Sequence, residues 1–355
     1  MEFSTDIVMN TGSDSYRIEC LQGENVLETR RLWEEVFSED SKAFTDYYFA
    51  NKAPSNTAFI CRHLPGGEIV SMVHLTPYEM TIQKAVVPTF YIVGVATRES
   101  HRHRGLMSTL LNKSFGYAAR LLCPFVFLMP ANPAIYEPFD FSYIYSRPQY
   151  SVPEIIRRKE VYINQFPAAG IQIRCLEKET SPQMLSALSD FAKETLSAQY
   201  DYYLTRTPSY YRTLLLELYA QNGCIYTFSL HNRLEGYFLY TEEEGRPFIQ
   251  ELLFSDKLHS HIGSLNYVNC NDDALSAASI DFSSDKSDNV CNVMSTLFPT
   301  PLPDHKPIIM AKNLLSNSAS VPILNSAHST ASKIAPISDY VNFLSSHKGF
   351  INEIV

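Results

Sequence analysis

The spacing of apolar residues changes several times along the chain. Over residues 24–50, Leu27, Leu32, Val36 and Phe37 fall near a helical period, followed by Phe44, Tyr47, Tyr48 and Phe49, so this stretch is expected to be helical. The segments TAFICR (57–62), EIVSMVHL (68–75) and EMTIQKAVVPTFYIVGV (79–95) read as strands, with Pro65, Gly66 and Gly67 turning the chain between the first two. A loop rich in His and Arg follows at 98–105. It opens a helix over 106–122 with Leu110, Leu111 and Phe115 on one face, and PFVFLM (124–129) is a buried strand. A Pro-containing stretch, 130–138, then leads to Phe139, Phe141 and Tyr143. Strands, loop, helix and strand in this order predict an α/β unit.

A related order recurs after residue 150. IQIRC (171–175) reads as a strand, and 182–219 as largely helical around the aromatic-rich YDYYLTRTPSYY. CIYTFSL (224–230) and LEGYFLYT (234–241) read as a hairpin, and FIQELLF (248–254) as a further strand. This second pass lacks the basic, Gly-containing loop and is read as a degenerate duplication of the first. Residues 256–305 are polar, KPIIMAK (306–312) is a strand, and 314–335 is rich in Ser, Asn and Ala and partly irregular. A helix over 337–346 and an apolar tail with Phe350, Ile351, Ile354 and Val355 predict a docked terminus.

Composition narrows the functional classes. The 355 residues suffice for two or three domains, and 45% hydrophobic against 19% charged residues excludes disorder over most of the chain. With 29 Lys and Arg against 38 Asp and Glu, the net charge of −9 argues against nucleic acid as a partner. No apolar run reaches the ~18–20 residues of a membrane span, so no membrane partner is expected. The seven cysteines are scattered, with no Cys-x-x-Cys pair, and no apolar leader follows Met1, so a cytoplasmic protein is expected. His259 and His261 have no further ligand at metal spacing and are expected on a solvated helix face, so no metal is predicted. DDALSAASIDF (272–282) lacks the pattern of a calcium loop, no G-x-S-x-G elbow occurs, and Glu242, Glu243 and Glu244 before Gly245 read as a hairpin turn.

The chemistry concentrates in VGVATRESHRHRGLMS, residues 93–108. A strand ends at Val95–Thr97, a short basic loop follows, and a helix starts at Gly105–Leu106. The first-turn amides of that helix lack intrahelical acceptors and carry partial positive charge, so they attract phosphate. Arg102 and Arg104 add charge at the same place. No Walker loop and no dinucleotide fingerprint is present. On spacing alone, a basic loop capping a helix in water and a diphosphate clamp remain open alternatives.

The stretch VATRESHRHRGLM resembles the cofactor motif of the GNAT acetyltransferase superfamily, R/Q-x-x-G-x-G/A, matched by Arg102 and Gly105. Met107 stands where a small residue is usual, as in the bacterial enhanced-intracellular-survival (Eis-like) branch, whose motif reads R-x-x-G-L-L/M. LETRRLWEEVFSEDSKAFTDYYFANK (27–52), LMPANPAIYEPFDFSYIY (128–145) and the final INEIV resemble the same branch. The resemblance implies an α/β (α+β) fold: tandem GNAT-like mixed-sheet domains and a small C-terminal α+β domain. Residues 1–150 would bind acetyl-CoA, 151–305 would be the degenerate second domain, and 306–355 an abridged sterol-carrier-protein-like part. It further implies an acetyl-CoA-dependent N-acetyltransferase acting on a primary amine, of a small molecule or a lysine side chain. The family often forms hexamers, which makes a homo-oligomer a further expectation.

By the same resemblance, Val95, Ala96 and Thr97 would contact the acetyl-pantetheine arm. His103, Arg104, Gly105, Leu106, Met107 and Ser108 would form the pyrophosphate loop, and Ala131 and Asn132 would line the cofactor. Tyr136 matches the general acid, a phenol that stays protonated at neutral pH and can donate to the leaving thiolate. The base would be the C-terminal carboxylate, carried by Val355, with Glu137 and Asp140 as substitutes. Two rivals remain: a non-catalytic acyl-CoA-binding module, and transfer of a longer acyl or an aminoacyl group.

Overall fold

The computed structural model describes residues 7–152, 165–166, 171–243, 245–265, 301–314 and 339–351. Val355, Ile354, Glu244 and the segments 266–300 and 315–338 lie outside them, and with them the readings made there. The α/β class expected from the sequence is the one observed. The chain divides into two compact units. The first comprises Met1–Arg147, Tyr200–Thr205 and Pro307–Val355, the second Pro148–Gln199 and Arg206–Lys306.

The first unit is built on a mixed sheet. Strands β1 (Ile7–Thr11), β2 (Asp14–Gln22), β3 (Thr57–Leu64), β4 (Ile69–Ile82) and β5 (Ala85–Thr97) run antiparallel in sequence order. Strand β6 (Phe125–Leu128) joins β5 in parallel, as the intervening helix α3 (Leu106–Arg120) requires. Strand β7 (Ser142–Tyr150) closes the order. The far half of β4 pairs with the short β10 (Tyr202–Leu204), and β10 pairs with β15 (Gly349–Phe350). Between β6 and β7 lies β14 (Pro301–Asn313), so the strand KPIIMAK, read as the start of a C-terminal part, is laid into this sheet beside β6.

One face of the sheet carries α3. Leu106, Leu110, Leu111 and Phe115 pack on Ile18, Phe59, Val73, Leu75, Phe90, Ile92, Val126 and Leu128. These strand residues alternate, as one sheet face demands. Helix α1 (Arg30–Val36) lies against β4 and β5. The helical stretch expected over 24–50 is thus not continuous. A 3-10 turn (Gly23–Thr29) leads into α1, and α2 (Lys42–Asn51) restarts after a break, because Ser41 caps it by accepting from the Phe44 amide at 3.2 Å.

Two further expectations need correction. The strand boundary placed between 75 and 79 lies instead at Gln83 and Lys84, both at positive φ (47° and 69°). That two-residue hairpin turn favours Asn or Gly, so Gln-Lys gives no signal. The helix read over 182–219 is two helices, α4 (Pro182–Gln199) and α5 (Pro208–Ala220), separated by β10. Pro208 sits in the first turn of α5 and Thr207 caps it, accepting from the Tyr210 amide at 3.1 Å. Strands β1 and β2 were not announced by the sequence pattern at all.

The second unit is an antiparallel sheet in the order β13 (Arg246–Phe254), β12 (Arg233–Glu243), β11 (Cys224–Leu230), β9 (Ile171–Cys175), β8 (Gln165–Phe166). Helices α4 and α5 pack on each other and on β11 to β13. On the other side, α6 (Asp256–Leu265) brings Leu258 onto Ile173, Phe228, Phe238 and Phe254; His259 on this helix is exposed. Under α4 and α5 the core encloses an ion pair. The Arg206 guanidinium grips the Glu251 carboxylate with both terminal nitrogens, one at 2.8 Å. Tyr237 donates to the same carboxylate at 2.7 Å and meets Tyr211 at 3.0 Å. Glu251 and Arg206 are 2% and 5% exposed, so each charge depends on the other for its solvation. Helix α7 (Tyr340–Ser346), capped by Asp339, belongs to the first unit and precedes β15.

Candidate active site

The end of β5 departs from regular pairing on both sides. Opposite β4, His74 faces Val93 and Met72 faces Ala96, so Gly94 and Val95 stand against Val73 alone. This is a β-bulge, which leaves the backbone of the extra residue outside the ladder. Gly94 is at φ 59°, and a Cβ there would lie 2.4 Å from the Trp33 ring, so only glycine fits. Toward β6, the paired register stops at Tyr91 and Phe127, although β5 runs on to Thr97. The edge of β5 from Ile92 to Thr97 therefore opens onto a gap between two parallel strands. Val95 and Thr97 are half-buried there and Ala96 is buried. Ser71 fixes the edge from behind, donating to the Ala96 carbonyl at 3.0 Å and meeting the Thr97 hydroxyl at 2.8 Å.

The basic loop is shaped to deliver α3 to the same place. Arg98 anchors its start on Glu35 at 2.9 Å and 3.1 Å. Arg102 is exposed and donates to the Thr97 carbonyl at 3.2 Å. His103 and Gly105 both take positive φ, 62° and 74°, and Gly105 is the N-cap of α3. Beyond it, the amides of Leu106, Met107 and Ser108 lie in the first turn, where the helix offers them no acceptor. Leu106 is buried and pins the turn to the core, while Met107 packs at its margin.

Arg104 points elsewhere. Its guanidinium binds Asp14, the Tyr16 hydroxyl at 2.6 Å and the Ser100 carbonyl at 3.1 Å. His63 meets Asp14 at 3.0 Å, and His101 meets Tyr16 at 2.9 Å. Hydrogen bonds from His63 and Arg104 hold the Asp14 carboxyl below its ordinary range, and burial lowers His101. The sequence offered no sign of this cluster, because Asp14 and Arg104 are 90 positions apart. It makes Arg104 a brace of the loop, and Arg102 is the arginine exposed at its rim.

Tyr136 follows a 3-10 turn (Pro133–Ile135) whose cap is Asn132, accepting from the Ala134 amide at 3.1 Å. Ala131 and Asn132 are exposed, whereas Tyr136 is buried and stands edge-on to Phe141 at 5.8 Å. It shares one cluster with Leu106 and Leu128, against which Val95 and Met107 pack. The strand edge, the loop and this tyrosine thus converge. Burial pushes the Tyr136 phenol up to about 12, and its hydroxyl has no hydrogen-bond partner among the described residues. Of the substitute bases, Glu137 is exposed and Asp140 accepts from Lys312 at 3.3 Å.

Behind the bulge, on the sheet face opposite α3, lies a second group that sequence reasoning missed. His74 Nδ1 meets the Tyr48 hydroxyl at 2.9 Å, and Asn56 donates to that hydroxyl at 2.9 Å. Trp33 stacks on Tyr48 at 4.3 Å. His74 is fully buried, which pushes its pKa down to about 3 and keeps the imidazole neutral. Among the described residues, no cluster of three or more His, Cys, Asp or Glu is arranged to hold a metal, and no helix is long and apolar enough to cross a membrane.

Residues 17–144 match the family model of the acetyltransferase (GNAT) domain. This segment is a GNAT domain. No curated protein matches the sequence. Among solved structures, a probable N-acyltransferase of Enterococcus faecalis is similar over 84% of this chain and 73% of its own, with a TM-score of 0.58 at 16% identity. A GCN5-related N-acetyltransferase from Kribbella flavida covers 86% and 72%, with a TM-score of 0.55 at 13% identity. Eis1 from Mycobacterium abscessus covers 84% and 73%, with a TM-score of 0.52 at 14% identity. At such identities the likeness is one of fold. The GNAT domain holds the bulge of β5, the parted strands, the Arg102-to-Gly105 loop and Tyr136.

Proposed function

We propose that this protein transfers the acetyl group of acetyl-CoA directly to a primary amine, carried by a small molecule or a lysine side chain. The observation that carries the reading is the coincidence, within the GNAT domain, of an open strand edge at Val95–Thr97 with the unpaired first turn of α3. The pantetheine arm would lie along that edge, with its amides hydrogen-bonding to the backbone of Val95, Ala96 and Thr97 on the side turned away from β4. The pyrophosphate would sit on the amides from His103 to Ser108, where helix-terminal charge favours anions. Ala131 and Asn132 would line the far side. Tyr136 would donate its proton to the CoA thiolate as the carbon–sulfur bond breaks, and the C-terminal carboxylate of Val355 would take the proton of the attacking ammonium. The matched motifs imply no covalent acetyl-enzyme.

The reading extends to the organisation of the chain: residues 1–150 as the catalytic GNAT domain, 151–305 as a second, degenerate one, and 306–355 as an abridged C-terminal part of an Eis-like protein. The recurrence of strand, two helices and an antiparallel hairpin in the second unit supports it. A cytoplasmic location and a homo-oligomer belong to the same proposal.

Acetyl-CoA titration by calorimetry tests the cofactor site. Gly105 is at φ 74°, and a Cβ there would meet nothing nearer than Met9 at 3.8 Å, so the cost of a side chain is conformational. Gly105→Val is expected to weaken binding about tenfold, the equivalent of the ~1–2 kcal/mol by which a left-handed residue is disfavoured. Wild-type protein without affinity for acetyl-CoA would sink the proposal. Binding without CoA release across a panel of amines would favour the non-catalytic alternative.

A further inference from the structure

We infer that Cys175 and Cys224, in the second unit, form a peroxide-responsive dithiol that closes into a disulfide. Cys175 ends β9 and Cys224 begins β11, and the register pairs Cys175 with Tyr226, so both thiols project from the same face of the sheet as diagonal neighbours. Their sulfurs are 2.8 Å apart, inside van der Waals contact and within a short movement of the ~2.05 Å of a disulfide. The backbone beside them is already closed, with the Leu176 amide bonded to the Ile225 carbonyl at 2.9 Å. The Tyr219 hydroxyl holds the Leu176 carbonyl at 2.9 Å.

Access and charge single out one sulfur as the attacking one. Cys175 is partly exposed, whereas Cys224 is 7% exposed. The hydrogen bond between the thiols lowers Cys175 and raises Cys224, so the outer sulfur is the one that gives up its proton more readily. Elsewhere, burial pushes Cys20 and Cys123 up to about 11 and Cys61 up to about 12, which leaves them as unreactive thiols.

The chemistry balances with a hydroperoxide as oxidant. The Cys175 thiolate attacks a peroxide oxygen; the sulfur–oxygen bond forms, the oxygen–oxygen bond breaks, and hydroxide leaves. The sulfur, now a sulfenic acid, has given two electrons to the peroxide. Cys224 sulfur then attacks it; the disulfide forms, the sulfur–oxygen bond breaks, and the Cys224 proton leaves with the oxygen as water. The bond closes a loop of 49 positions that contains α4, β10 and α5.

The test treats the full chain with hydrogen peroxide, blocks free thiols with iodoacetamide and maps peptides by mass spectrometry. The expected result is a linked pair containing Cys175 and Cys224, two mass units lighter than the free thiols and released by dithiothreitol. The oxidised protein should melt roughly 10 °C higher, as a disulfide across a loop of this length predicts. In Cys224→Ser, the sulfenic acid at Cys175 should persist and react with dimedone. If both cysteines stay alkylatable at peroxide doses that oxidise other cysteines of the chain, or if either links to Cys270 or Cys291, the inference is overturned. The wild-type map alone decides the matter should the variant fail to fold.

Discussion

Tyr136→Phe is expected to lower kcat by about 10²–10⁴ while leaving the affinity for acetyl-CoA within a factor of two. The phenylalanine ring keeps the contact with Phe141 and the place among Leu106 and Leu128, so the core loses nothing but an oxygen. That oxygen has no structural partner among the described residues, so its removal leaves no orphaned group behind. The loss would therefore be chemical, equal to ~3–5 kcal/mol of barrier. With burial pushing the phenol up to about 12, the hydroxyl is a proton donor across the whole neutral and mildly alkaline range. Stopped assays of CoA release, run beside calorimetric titration, separate the two quantities. Normal turnover in the variant would remove Tyr136 from the mechanism; lost binding together with lost turnover would make it a packing residue.

Glu251→Gln is expected to destabilise the second unit by about 3–5 kcal/mol, the cost of stranding one buried charge. Arg206 would keep its charge under α4 and α5, and Tyr237 would donate to a neutral amide instead of a carboxylate. Urea denaturation followed by tyrosine fluorescence measures the change. The pair Arg206→Met with Glu251→Leu should recover most of it, because two apolar side chains leave no charge unsolvated, and the Tyr237 hydroxyl that loses its acceptor keeps Tyr211 as a partner. A double variant as unstable as the single one would show that the ion pair contributes more than mutual solvation. Both residues lie outside the GNAT domain, residues 17–144, so acetyl-CoA binding should persist at temperatures below the transition.

Legibility from the sequence followed the range of each interaction. The strand, basic loop and helix from Ala85 to Arg120 were readable because a periodic apolar face and a glycine N-cap are local signals. So was the hairpin of β11 and β12, whose runs of β-branched and aromatic residues flank the short turn at His231 and Asn232. The turn at Gln83 and Lys84 was not, since its backbone is enforced by the pairing of Met80 to Val87 and Thr81 to Val86 on either side. Tyr202–Leu204 resembles helix in context and is a strand because β4 offers it a free edge. In the candidate site, Arg102 and Gly105 stand close enough in sequence to be recognised as a motif. The partners that turn Arg104 inward, and the buried His74 below the bulge, exist only because distant strands are laid side by side.

That buried histidine has a thermodynamic consequence. An imidazole in the unfolded chain titrates near 6.5, whereas His74 in the sheet has been pushed down to about 3. Above pH 6.5 both states hold it neutral and it contributes no pH dependence. As acid is added through that value, the unfolded chain takes up a proton that the folded one refuses until about pH 3. Across this window the folded state loses about 1.4 kcal/mol per pH unit from this group alone. The urea midpoint should accordingly fall between pH 7 and pH 5, and His74→Gln should flatten that slope; an unchanged slope would assign the acid sensitivity to other groups. The layer that supports the β5 bulge thereby makes the first unit a proton-linked fold, secure near neutrality and weakened in mild acid.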